Sequence, residues 1–193
     1  MTIGESILVP ARMIFLMWVF FCVEFILDMD FGWLGVQPRE IEGLIGLLTA
    51  PLIHGNLRHL VSNTLPLLFL GTLLYYFYPK KAGIVFTACY VLSSLLVWLF
   101  AATGPTHVGA SGLIYGLASF LVFYGIFSRE FKAILLSIVV IVFYGSLIYG
   151  ILPQKGPISW EAHLAGSVVG LGAAFLLRGR SSDNSSSDSQ TSV

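Results

Sequence analysis

Apolar stretches near bilayer-spanning length alternate with short polar breaks along almost the whole chain. A spanning helix needs about 20 mostly apolar residues, and six stretches qualify: 7–27, 57–77, 83–102, 111–127, 131–152 and 161–177. They predict an all-α integral membrane fold, a bundle of six transmembrane helices. The first stretch is too long for the apolar part of a cleavable signal peptide and has no small-residue cleavage site after it. Between the first two spans, Met29 to Asn56 carries Phe31, Trp33, Leu34, Ile41, Leu44, Ile45, Leu47 and Leu48. A loop of that length and character is expected to form short interfacial helices rather than a bare linker. Residues 1–180 thus read as one membrane core. Residues 181–193, rich in serine and poor in apolar residues, read as a disordered polar tail.

Composition strengthens the membrane assignment. Hydrophobic residues make up 56% of the chain and charged residues 10%, where a soluble domain carries about 25% charged residues. The net charge of zero gives no electrostatic basis for binding nucleic acid. Cys22 and Cys89 lie in separate apolar runs without metal-like spacing, and are expected to be small buried apolar residues. No internal repeat supports a transporter built from inverted halves.

The few charges carry topology. With the N-terminus inside, Arg12, Lys80, Lys81, Arg129, Lys132, Arg178 and Arg180 fall on the inner side, and Arg39, Arg58 and Lys155 on the outer. The excess of basic residues inside predicts that both termini are cytoplasmic. Glu24, Asp28 and Asp30 then sit at the outer end of the first span, within reach of water. The second, fourth and sixth spans all begin on the outer side. This brings His59 and Asn63, Ser111, and His163 to one depth just below the outer surface.

Polar residues inside spans are costly and mark function by default, although single ones also serve as interhelical hydrogen bonds. Four at one depth favour chemistry. Ser111 lies in Gly109-Ala-Ser-Gly112 at a helix start, where its own N–H lacks an intrahelical partner. His163, Gly166 and Gly170 share a helix face, and Gly112 and Gly116 form a small-residue pair on the fourth span. Glycines on both helices admit close packing, which would bring the Ser111 hydroxyl to the His163 imidazole. Histidine can take the serine proton near neutral pH. Tyr115, one turn beyond Ser111, is positioned to pack on the imidazole. His59 and Asn63, four residues apart on one face, offer donors for a developing oxyanion. No acidic residue obviously orients His163, so the expectation is a Ser–His dyad. His54 fits either a supporting role or a structural loop histidine, and His107 reads as an exposed loop residue. The four histidines have no recognised zinc spacing, so neither metal nor cofactor is expected.

His54-Gly-Asn-Leu-Arg-His59-Leu-Val-Ser-Asn63, Gly109-Ala-Ser-Gly112-Leu-Ile-Tyr115-Gly116 and His163-Leu-Ala-Gly166-Ser-Val-Val-Gly170 together resemble the three signatures of the rhomboid intramembrane serine proteases. The resemblance runs from Ile7 to about Leu177 and includes order and span number. One departure is Leu34 after Trp33, where many relatives have arginine. The resemblance implies Ser111 as nucleophile, His163 as base, His59, Asn63 and Gly109 at the oxyanion site and Tyr115 packed on the base. It also implies cleavage in or next to a substrate's transmembrane segment, entering sideways between the second and fifth spans under a cap formed by Pro153 to Pro157. The compact six-span form resembles prokaryotic members, which implies a plasma membrane with the site opening outward. Transmembrane proteins are the expected partners, in the lipid bilayer. The alternative is a proteolytically inactive membrane protein that binds or sorts client helices.

Overall fold

A computed structural model describes residues 1–154 and 159–178. The expected polar tail and the Lys155 to Pro157 part of the expected cap lie outside the described residues. Helix α1 spans Ile3–Leu27, α3 Leu57–Phe77, α4 Pro79–Phe100, α5 Ser111–Ser128, α6 Phe131–Tyr144 and α7 Trp160–Leu177, with a short α2 at Gly46–Thr49 between the first two long helices. A 3₁₀ stretch, Gly145–Ile151, continues α6, and together they form the fifth of six helices long and apolar enough to cross a membrane. No β-strand is named among the described residues; one isolated antiparallel bridge joins Val36 and His107.

Local chemistry explains the helix ends. Thr2 caps α1 through a reciprocal capping box with Glu5. Asp28 closes α1 in the left-handed region at φ 50°. Helix α4 begins four residues before the apolar stretch at 83, because Pro79 stands at its first turn, where a missing N–H costs nothing. Lys80 and Lys81 therefore extend the helix beyond its apolar part.

The loop between α1 and α3 is built from 3₁₀ turns at Gly32–Leu34, Glu42–Ile45 and Ala50–Leu52 around α2. It is tied to α4 at several points. Arg39 N–H donates to Trp98 O at 3.0 Å, Trp98 Nε1 to Glu40 O at 2.8 Å, and the Tyr90 hydroxyl to Leu48 O. Leu34 is buried and Trp33 is exposed.

Helix α5 is the centre of the bundle, touching α3, α4, α6 and α7. Its Gly112-to-Ala118 run is buried throughout. Large apolar side chains such as Phe15, Phe25, Ile84, Phe100, Val142 and Leu176 point outward from the other helices, forming the surface a bilayer would cover. Cys22 is exposed on this surface, where burial in the interior was expected, while Cys89 is buried. Elsewhere on α1, Pro10 lies against Gly71 of α3, where a Cβ would come within 2.8 Å of the proline ring. Trp18 Nε1 donates to Thr64 Oγ1 at 3.2 Å and fixes the same pair of helices.

Candidate active site

Glycine is what lets α5 and α7 meet. A Cβ on Gly166 would run into the Gly112 carbonyl, and one on Gly170 into the Gly116 carbonyl. A Cβ on Gly112 would lie 3.2 Å from Ala162 O, and one on Gly116 would lie 2.7 Å from Cys89 Sγ of α4. The backbones therefore touch along two turns, locked further down by the Ser119 hydroxyl donating to Ser167 O at 2.7 Å. With Gly112 facing Ala162 and Gly166, the neighbouring Ser111 and His163 sit at the same end of this seam.

The imidazole of His163 is held on two sides. Tyr115 stacks on it with ring centroids 4.0 Å apart and planes 6° from parallel. Its Nδ1 lies 3.0 Å from the Gly150 carbonyl oxygen. A carbonyl can only accept, so Nδ1 carries the proton and the neutral ring keeps its lone pair on Nε2. Among the described residues neither Nε2 nor the Ser111 hydroxyl has a hydrogen-bond partner.

Gly150 was not singled out by its sequence context, since a main-chain carbonyl leaves no residue signature. Its lack of a side chain matters equally: a Cβ there would collide with the Tyr115 hydroxyl and come within 3.1 Å of His163 Nδ1. It belongs to the 3₁₀ stretch that ends the fifth span, so that span reaches His163.

The loop before Ser111 supplies the next component. Gly109 adopts φ +110°, a conformation side chains rarely take, and its N–H donates to Ala50 O at 2.8 Å. The bare face of Gly109 receives the His59 ring, whose Nε2 would lie 2.7 Å from an added Cβ. His59 is the third residue of α3, where the Asn56 side chain caps the helix by accepting His59 N–H at 2.9 Å. Asn63, one turn later and buried, donates through Nδ2 to His59 O at 2.9 Å. That uses one of its two amide hydrogens and leaves the other free. Ala110 stands at the N-cap of α5 and provides no side-chain cap, so the first-turn N–H groups around Ser111 remain uncommitted among the described residues.

His54 packs edge-on against His59 at 5.0 Å and is almost wholly buried. Its Nδ1 donates to Leu52 O at 3.3 Å. Burial first, and then the neighbouring His59, lower its pKa to about 4, so the ring is neutral at ordinary pH. It serves as a wall for His59, bracing the side chain that faces Gly109.

His107 departs from expectation. It is buried rather than exposed, because its backbone pairs both ways with Val36 of the first loop. Its Nδ1 lies 2.7 Å from the hydroxyl of Ser159, the residue capping α7. Burial lowers its pKa, with Glu161 pulling the other way. His107 and Ser93 both line a small cavity beside Gly109 and Gly112, and His107 Nε2 and Ser93 Oγ find no partner among the described residues. Polar atoms so placed suit a bridging water. No three metal-ligating side chains cluster among the described residues.

Comparison with known proteins agrees with this architecture. Residues 42–180 match the family model described as the Rhomboid domain. A protein of Mycobacterium tuberculosis (strain ATCC 25618 / H37Rv), described as uncharacterized, is 40% identical over 151 residues, covering 74% of this chain and 63% of the relative. A Mycobacterium leprae (strain TN) protein, described in the same way, is 35% identical over 159 residues, covering 74% and 60%. The chain thus spans about three fifths of the length of the curated relatives it matches.

Proposed function

The chain belongs to the rhomboid family, whose members are generally intramembrane serine proteases, and on that premise we propose that it cleaves transmembrane proteins with a Ser111–His163 dyad. The observation that carries this reading is the state of His163: stacked on Tyr115, with Nδ1 committed to Gly150 O, at the end of the glycine seam where Ser111 begins α5. A base with its free lone pair on Nε2 and its ring immobilised beside a serine is what acyl transfer requires.

In the first half-reaction Ser111 Oγ attacks the scissile carbonyl carbon while His163 Nε2 takes the hydroxyl proton. The carbonyl oxygen becomes an oxyanion, for which the Ser111 N–H, the His59 ring and the free Asn63 Nδ2 hydrogen are the available donors. Collapse of this intermediate breaks the C–N bond, and the leaving amine takes the proton from His163. Water then attacks the acyl-serine, giving its proton to the same Nε2, and hydrolysis releases the acid and restores the serine. The Gly150 carbonyl takes the orienting part that a carboxylate plays in a triad. The Ser111 Oγ–His163 Nε2 hydrogen bond forms when substrate binds, since catalytic hydrogen bonds commonly tighten only in the substrate complex.

The substrate is a transmembrane segment that unwinds locally, because a helix keeps its carbonyls in internal hydrogen bonds. It enters between α3 and α6, which meet through Phe69 against Phe143 and Tyr144 at centroid distances of 6.1 and 5.7 Å. Both termini are cytoplasmic and the site opens to the extracytoplasmic side of the plasma membrane, on the basic-residue distribution. The test is purified protein in detergent with a transmembrane peptide. Ser111→Ala and His163→Ala should each lower cleavage by at least about 10³-fold without loss of folding, and chelators should have no effect. Peptide binding without Ser111-dependent cleavage would instead favour a client-holding protein.

A further inference from the structure

We infer that His107, acting through Ser159, is a positioning residue that registers the His163 end of the dyad against the Ser111 end. The inference rests on the protease reading above for its catalytic consequence, and on geometry alone for the positioning itself.

His107 stands four residues before Ser111, in a loop whose Ala102–Thr106 run is exposed while His107 itself is buried. Ser159 is the cap of α7. Its hydroxyl accepts Ala162 N–H at 3.2 Å, and its carbonyl accepts the N–H of His163 at 3.4 Å. With its acceptor side so used, the hydroxyl can donate its own proton to His107 Nδ1 at 2.7 Å. Among the described residues, this is the one side-chain hydrogen bond that joins the loop before Ser111 to the first turn of α7.

Neither partner needs the contact for its own local structure. The loop is already pinned by two 2.9 Å backbone bonds between His107 and Val36 and by Gly109 N–H on Ala50 O. The helix is already capped, because Ser159 receives Ala162 N–H whether or not His107 is present. What the bond adds is a fixed relation between two elements, one leading into Ser111 and the other into His163. The glycine seam sets how closely α5 and α7 approach. The His107–Ser159 bond restrains sliding and rotation of the first turn of α7 at the end where proton transfer occurs. Proton transfer is sensitive to such displacements, since misplacement by about 1 Å can cost about 10²-fold.

Two deletions of the contact and one restoration test this. His107→Phe keeps the ring volume and removes the nitrogen. His107→Asn returns a polar atom near the Nδ1 position. Ser159→Gly removes the hydroxyl while keeping a residue that is well tolerated at helix starts. Steady-state cleavage should show kcat down about 10- to 100-fold in His107→Phe and in Ser159→Gly, with KM within about 3-fold of wild type. His107→Asn should recover most of the loss, and the double variant should be no worse than Ser159→Gly alone. The inference is overturned by any of three results: kcat in His107→Phe within about 2-fold of wild type, His107→Asn no better than His107→Phe, or losses that multiply in the double variant. If His107→Phe fails to fold, Ser159→Gly alone decides by the same kcat criterion.

A wild-type protein that does not cleave would remove the protease reading and leave this one to a second readout, the ¹⁵N resonances of the His163 ring in histidine-labelled protein. A shift in His107→Phe or Ser159→Gly, reversed in His107→Asn, sustains the positioning. Unchanged resonances defeat it.

Discussion

The α5–α7 seam and the α3–α6 contact are two helix pairings built to opposite specifications. Along the seam, main chain meets main chain: Gly166 lies on the Gly112 carbonyl and Gly170 on the Gly116 carbonyl, so neither helix can shift without a backbone collision. Between α3 and α6 the meeting is through aromatic rims, Phe69 against Phe143 and Tyr144 at about 6 Å, and the outward face of α6 is open. Backbone-to-backbone packing is rigid because it has no rotamers to spend, whereas a contact between ring edges can open by side-chain rotation. The proposed dyad sits on the first kind of interface and the proposed entrance on the second. Precision and access are thereby assigned to different helix pairs that share α5 as their common neighbour.

The sharpest way to break this contrast is to give the seam a side chain. Gly166→Val should force α5 and α7 apart, cost about 1–3 kcal/mol or more of stability, and lower cleavage by at least about 10³-fold. Thermal unfolding and single-turnover assays measure the two effects, and near-normal activity would mean the seam does not set the dyad. Gly150→Ala probes the seam's upper end, where the methyl group would push on Tyr115 and His163. Cleavage should fall about 10²-fold with little change in melting temperature, and an unaffected kcat would remove Gly150 from the proton-transfer geometry.

The loose pairing is tested by closing it. Cysteines at Phe69 and Phe143, joined by a short bifunctional thiol reagent in a background without Cys22 and Cys89, should reduce cleavage of a transmembrane substrate by at least about 10-fold. Labelling of Ser111 by a small fluorophosphonate should persist in the same sample. Undiminished cleavage after full crosslinking sinks the α3–α6 entrance.

The last prediction concerns stability and not cleavage, through His54, which braces His59 from outside the seam. Its folded-state pKa of about 4 lies below the ordinary 6.5. The unfolded chain therefore binds the extra proton between these values, and stability falls as pH drops from about 6.5 towards 4. The loss is on the order of 3 kcal/mol at the low end. Melting curves of wild type and His54→Gln across that range isolate the contribution; parallel curves would show that His54 does not carry it.

What could be read from the chain follows from what kind of information each feature needs. The six spans are properties of continuous apolar runs, and the pairing of Gly112 and Gly116 with Gly166 and Gly170 is a matter of helical spacing, so both are visible without coordinates. The burial of His107 comes from pairing with Val36, 71 positions earlier, which no local pattern announces. Cys22 was misjudged because an apolar run tells that a helix is in the membrane but not which of its faces meets lipid. Gly150 and Ser159 act through a carbonyl and a helix cap. The second has a faint signal, a serine directly before the last span, and the first has none.

The start of α5 has one more consequence. Three long helices, α3, α5 and α7, begin at the same end of the bundle by alternation of the spans. Asn56 and Ser159 close the first and last of these with side-chain oxygens, while Ala110 leaves α5 open. A serine, threonine or aspartate at that position would ordinarily stabilise the helix by about 1 kcal/mol. Its oxygen would also occupy the amides that the proposed mechanism gives to the oxyanion. The most central helix of the molecule thus carries a stability deficit at the end where, in the proposed mechanism, repairing it would compete with substrate. Selection for heat resistance in this scaffold should find its gains elsewhere.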